Sequence, residues 1–157
     1  MRQFSIYVAG VPQPQGSKTP FAIRKGGAYT GKVAMVEGRR PEARANFKSW
    51  REGIAQQARA FVDNHNAACQ TPWTPLEGPV LARIEFRLPR PASAAKRVTL
   101  PAKRPDLDKL TRAVFDALKG IAIVDDSQIV DMRVSKIFGP PGAVIHLEEM
   151  RAREAAS

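Results

Sequence analysis

Arg104–Val130 reads RPDLDKLTRAVFDALKGIAIVDDSQIV, and this stretch decides both the fold class and the chemistry of the chain. Leu107, Leu110, Val114, Ala117 and Leu118 fall on one face of a helix. Pro105 stands just before its start and Gly120 just beyond its end, the usual punctuation of a helix. Asp106 and Asp108 lie at the entry to this helix. After a short apolar run, Ile121 to Val124, Asp125 and Asp126 follow its exit. Taken singly, Asp106 reads as an N-cap, Asp108 as a complement to the helix dipole, and the Asp125–Asp126 pair as an Asx-type turn. Taken together, two acidic sites flanking one helix in a strongly basic chain read as a metal site. Gathered carboxylates repel one another unless a cation or a proton neutralises them, and hard oxygen ligands suit Mg²⁺ or Mn²⁺. On a basic protein, the expected substrate of such a metal is a nucleic-acid phosphodiester.

Arg112 lies four residues after Asp108, on the same helix face one turn on, and Asp116 four after Arg112. One reading is an ordinary ladder of surface ion pairs. The other has Arg112 stabilising charge on a phosphate, a task its planar donors suit, with Asp116 orienting it.

Outward from this stretch the elements alternate. Phe4, Ile6 and Val8 mark a half-buried first strand, and GVPQPQGSKTP a loop. Phe21 to Val36 reads as a hairpin turning at Gly26–Gly27. From Pro41 to about Asn64, Phe47, Trp50, Ile54, Ala58 and Phe61 trace a helix whose apolar stripe, Trp50 included, is read as core. Ala67 to Gly78 is a connector. Pro79 to Leu88 alternates as a strand with one wet, largely basic face. Gln128 to Phe138 and Ala143 to Glu149 read as the last strands. The sum is an α+β chain: one domain over 1–157, a mixed curved sheet packed with two main helices, and a frayed tail from about 150 to 157.

The 157 residues hold 25 Lys and Arg against 15 Asp and Glu, a net charge of +10 that points to a polyanion partner. Cys69 is the single cysteine, which excludes an internal disulfide and a thiolate zinc site. His65 and His146 have no ligand spacing. No stretch approaches a membrane span, and a reducing cytoplasm is expected. The Pro-bearing loop from Pro89 to Asp106 carries Lys96, Arg97, Lys103 and Arg104 and runs straight into the first acids. With Lys18, Arg24 and Lys25 these are candidates for DNA backbone contacts, each weighed against a merely solvated basic surface.

From Arg104 to Gly139 the chain resembles the RusA family of Holliday junction resolvases, and GVPQPQGSK with MVEGRRPEARANFKSWRE is similar to its phage-type members. The resemblance rests on the D-x-D segment opening a helix that ends in F-D-A-L, the D-D-S-Q-I segment, and a following strand with a basic residue, here Lys136. It implies a homodimeric, Mg²⁺-dependent endonuclease that resolves four-way DNA junctions by paired nicks, in recombination and repair. Carried over, the catalytic and metal-holding acids are Asp106, Asp108 and Asp126, with Asp125 beside them. Lys136 joins the DNA-binding set. Lys109 stands where the family has Asn, and Arg112 where it has Lys. Arginine keeps the charge but does not readily give up a proton. The rival readings are a nuclease of forks or flaps with the same site, and a basic DNA-binding module without activity.

Overall fold

The computed structural model describes residues 1–16, 18–37 and 40–151, leaving aside the side chains of Lys18, Thr19, Val36 and Glu37. The tail expected to fray falls mainly on 152–157, outside the described residues. In chain order the elements are β1 (Gln3–Ala9), β2 (Lys18–Lys25), β3 (Ala28–Glu37), α1 (Pro41–Ala68), β4 (Val80–Leu88), α2 (Leu107–Leu118), β5 (Ile129–Phe138) and β6 (Gly142–Glu149).

Four strands make one mixed sheet in the order β1-β6-β4-β5. β6 is antiparallel to both β1 and β4, and β4 is parallel to β5. Parallel neighbours require a long crossover, and the basic loop with α2 supplies it. Alternation then sorts the side chains. Phe4, Ile6, Val8, Val80, Ala82, Ile84, Phe86, Ile145 and Leu147 point to the face covered by the helices and are buried. Arg83 and Arg133, paired across β4 and β5, lie on the opposite, wet face.

The helices close the core. Trp50, Ile54 and Ala58 of α1 and Leu110, Val114 and Leu118 of α2 join the same cluster as the sheet, as the apolar periodicity predicts. Leu110 is fully buried, so Leu110→Ala is expected to cost about 2–5 kcal/mol, transfer and cavity together. α1 runs to Ala68 rather than ending near Asn64: Cys69 N–H still reaches the His65 carbonyl at 2.8 Å, because Ala67 and Ala68 favour continuing the helix. The connector therefore starts at Cys69.

β2 and β3 form a separate hairpin, turned by Gly26 and Gly27 at φ of 57° and 83°. Positive φ at two successive residues is what tight hairpin turns need and what glycine accepts without strain. The hairpin stands off the sheet, with Phe21, Ile23, Tyr29, Val33 and Met35 all exposed.

Candidate active site

The first turn of α2 presents its acids to solvent. Asp106 occupies the N-cap position with extended backbone angles, φ −72° and ψ 135°, but its side chain makes no capping hydrogen bond. The capping role open to it in the sequence is therefore not taken up. Its carboxylate lies 3.6 Å from Lys109 Nζ, a loose exposed pair. Asp108 follows in the first turn, exposed and without an ion pair among the described residues. The positive end of the helix dipole favours both charges. The Gln15 N–H donates to the Lys109 carbonyl at 3.0 Å, which brings the loop before the hairpin onto this same turn. Lys136, in β5, donates to the carbonyls of Lys103 and Pro105 at 2.7 and 2.9 Å, fixing the segment that leads into Asp106.

Arg112 is exposed one turn further along, and among the described residues no ion pair joins it to Asp116. Asp116 instead lines a groove facing α1 with Lys48, Arg51 and Arg59. The guanidinium of Arg112 is thus left to solvent, on the exposed side of α2.

The second acidic pair sits at the other end of the helix. Lys119, the C-cap residue, pairs with Asp125 and lies 3.7 Å from Asp126. Asp125 is committed to local structure: it accepts from Ser127 N–H at 3.0 Å and caps the single 3₁₀ turn Asp126–Gln128. The hydrogen bond from Lys119, helped by those from Ser127, holds its carboxyl well below the usual carboxylate range, and Lys119 is raised in turn chiefly by Asp125. Gln128 locks the turn in place. It accepts from the N–H groups of Val124 and Asp125 at 2.9 and 2.8 Å and donates to the carbonyls of Leu76 and Gly78 at 2.8 and 3.0 Å. Asp126 takes no part in the cap and faces a shallow hollow with Phe115 and Met132. The sequence reading missed both Lys119 and Gln128. For Gln128 the signal was present, since an acid followed three residues later by Gln is the spacing of a capping box.

The two pairs are not brought together within one protomer. α2, with Asp108 in its first turn and the Asp125–Asp126 pair held by Lys119 at its far end, has 12 residues, a length of about 18 Å at 1.5 Å per residue. Among the described residues no three Asp, Glu, His or Cys side chains converge as a cation site. Lys119 already neutralises Asp125 and Asp126. The donor set of one protomer therefore does not fit a divalent ion by itself.

Of the basic candidates, Lys103 and Arg104 lie on the segment that leads into Asp106. Lys96, Arg97, Lys103 and Arg104 are exposed on the loop before α2, which Arg90 folds back by donating to the carbonyls of Val98 and Ala95 at 2.5 and 2.8 Å. Arg24 and Lys25 are exposed at the tip of the hairpin. The side chain of Lys18 lies outside the described residues, although its backbone opens β2. No helix among the described residues is long and apolar enough to cross a membrane.

Comparison with known proteins agrees with this architecture. The chain is 30% identical to the uncharacterized protein YqaN of Bacillus subtilis over 161 aligned residues, covering 96% of this chain and 97% of that one. Residues 33–148, which contain both acidic pairs, α2, β4, β5 and all of β6 but its last residue, match the family model described as endodeoxyribonuclease RusA. The chain belongs to the RusA endodeoxyribonuclease family.

Proposed function

We propose that this protein is a Mg²⁺-dependent endonuclease that resolves four-way DNA junctions as a two-fold dimer, with Mn²⁺ as an alternative ion. The observation that carries the reading is the first turn of α2. There, Asp106 and Asp108 are exposed and uncapped, Arg112 follows one turn on, the basic loop leads into the turn, and the segment before the hairpin is hydrogen-bonded to it through Gln15. A carboxylate pair with an arginine beside it suits phosphodiester hydrolysis: the acids hold a cation and the guanidinium stabilises charge on the phosphate. Lys96, Arg97, Lys103 and Arg104, with Lys18, Arg24 and Lys25, supply the attraction to the backbone. Lys136 acts through the segment it fixes.

The distance between the acidic pairs supports the dimer. In the proposed two-fold dimer the N-terminus of α2 from one protomer would face the Asp125–Asp126 turn of its partner, so that Asp106, Asp108 and Asp126 of two chains together make the cation site. Two-fold symmetry also matches a four-way junction, where paired sites make paired nicks. The exposed apolar residues of the hairpin, Phe21, Ile23, Val33 and Met35, argue in the same direction. A lone two-stranded ribbon is at best marginally stable in water, and packing against a partner relieves that.

Cleavage of labelled four-way junctions, forks, flaps and duplexes, with Mg²⁺ and with EDTA, tests the reading. Symmetric nicking of the junction in Mg²⁺ alone is the expected result. Faster cutting of forks or flaps would move the substrate, and junction binding without any nicking would leave a DNA-binding module.

A further inference from the structure

A second basic surface runs along α1. Arg44, Lys48, Arg51 and Arg59 occupy positions i, i+4, i+7 and i+15. At 100° per residue these four cations share a strip about 80° wide, and at 1.5 Å per residue it is about 22 Å long. Ala55 lies on the same line and is buried, so the strip borders the core rather than pointing straight away from it. What it borders is a groove of about 480 Å³ between α1 and the C-terminal part of α2, lined by Lys48, Arg51, Arg59, Asp116 and Lys119 among others.

The cations lining this groove are lightly held. Lys48 has no ion pair among the described residues. Arg51 lies over the Phe47 ring at 5.8 Å. Arg59 is paired with Glu52 at 3.1 Å, but both side chains are more than half exposed, and a pair of that kind contributes little and yields to a polyanion. At the groove's end Lys119 reaches across to Asp125 and Asp126. A merely solvated basic surface has no reason to align its charges at helical spacing beside a concave path that ends on an acidic pair.

We infer that this groove binds the sugar-phosphate backbone of a junction arm and leads one strand to the Asp125–Asp126 turn. The inference rests on the nuclease reading for the identity of the polyanion, and it adds a DNA-binding surface on the opposite end of α2 from the basic loop.

The test is binding of the full chain to an immobile four-way junction of synthetic oligonucleotides, in EDTA, across a salt series. Lys48→Gln/Arg51→Gln is expected to weaken binding and to reduce the slope of log affinity against log salt by about 0.9 for each phosphate no longer neutralised, hence about 1.8 per protomer. The charge-matched control is Arg83→Gln/Arg133→Gln on the wet face of the sheet, expected to keep the wild-type slope. Arg51→Lys preserves the charge and should keep it too. Should the double variant fold poorly, the single Lys48→Gln at an exposed position reads the same slope, with an expected decrease of about 0.9. An unchanged slope in the groove variants, or an equal decrease in the control, overturns the inference. Its failure is separable from that of the nuclease reading. Wild-type nicking with an unchanged groove slope sinks only the groove, whereas a lowered slope in a protein that never nicks in Mg²⁺ sinks only the nuclease.

Discussion

The ammonium of Lys136 is bonded to the carbonyl of Pro105, 2.9 Å away, although 31 residues separate them. With its second bond to the Lys103 carbonyl, this lysine ties the end of β5 to the residue immediately before Asp106. Lys136→Met keeps an unbranched apolar stem and removes both bonds. Cleavage by the variant is expected to fall roughly 10- to 100-fold, as misplacing a catalytic group by about 1 Å does, with junction affinity nearly intact. Single-turnover rates beside binding in EDTA separate the two. A parallel fall in affinity and rate would make Lys136 a DNA-binding residue instead.

Asp108→Asn should abolish nicking in Mg²⁺ while leaving junction binding equal or tighter, because removing a negative charge does not weaken attraction to a polyanion. Asp108 makes no ion pair among the described residues, so the substitution costs little stability. Wild-type cleavage by the variant would remove this acid from the site.

Arg112 separates charge from geometry. Arg112→Lys should retain much of the activity. Arg112→Ala should lose roughly 10²-fold in single-turnover rate on a pre-bound junction, the scale expected for one preorganised charge stabiliser. Alanine matching wild type would return Arg112 to an ordinary surface position.

The Lys119–Asp125 pair gives a pH dependence with a defined sign. Asp125 titrates below its ordinary value in the folded chain, so its contribution is present above the unfolded carboxylate range. It is lost as pH falls below about 4. Lys119 titrates above its ordinary value of 10.5, so its contribution is present below that pH and is lost in stronger alkali. Lys119→Met should therefore flatten the fall in denaturant midpoint between pH 5 and pH 3, and 1 M salt should shrink the difference because both groups are exposed. An identical acid profile in the two proteins would show that the pair contributes nothing.

Neutralising Lys96, Arg97 and Lys103 together should weaken junction binding and lower the salt slope by about 0.9 for each phosphate that the loop neutralises. The loop leads directly into Asp106, so its charges flank the first acidic pair. Affinity across a salt series decides it, and an unchanged slope would place the loop away from DNA.

Much of this was legible in the chain. The 3.6-residue period of Leu110, Val114 and Leu118 marks α2, and the alternation from Val80 to Leu88 marks β4, because burial of one face imposes each pattern. The glycine pair marks the hairpin, since two positive φ angles in succession favour glycine. The end of α1 was less legible, because residues 65–68 carry little apolar signal and their side-chain partners, the Trp73 N–H on Asn66 and the Trp73 ring against His65, lie beyond the helix.

What the sequence determined by itself is the set of local elements, the bracketing of α2 by two acidic pairs, and the strong positive charge. These depend on periodicity, turn chemistry and composition, all short-range. Tertiary structure alone decided where the functional groups point. Lys136 reads as a DNA-binding cation, yet the parallel register sets it beside buried Phe86 on the helix-covered side of the edge strand, within reach of the Pro105 carbonyl. Asp106 and Asp126 read as one constellation, yet a helix about 18 Å long holds them apart. Strand register is set by long-range pairing, and no local pattern in the chain encodes which carbonyl a lysine 31 residues away will reach.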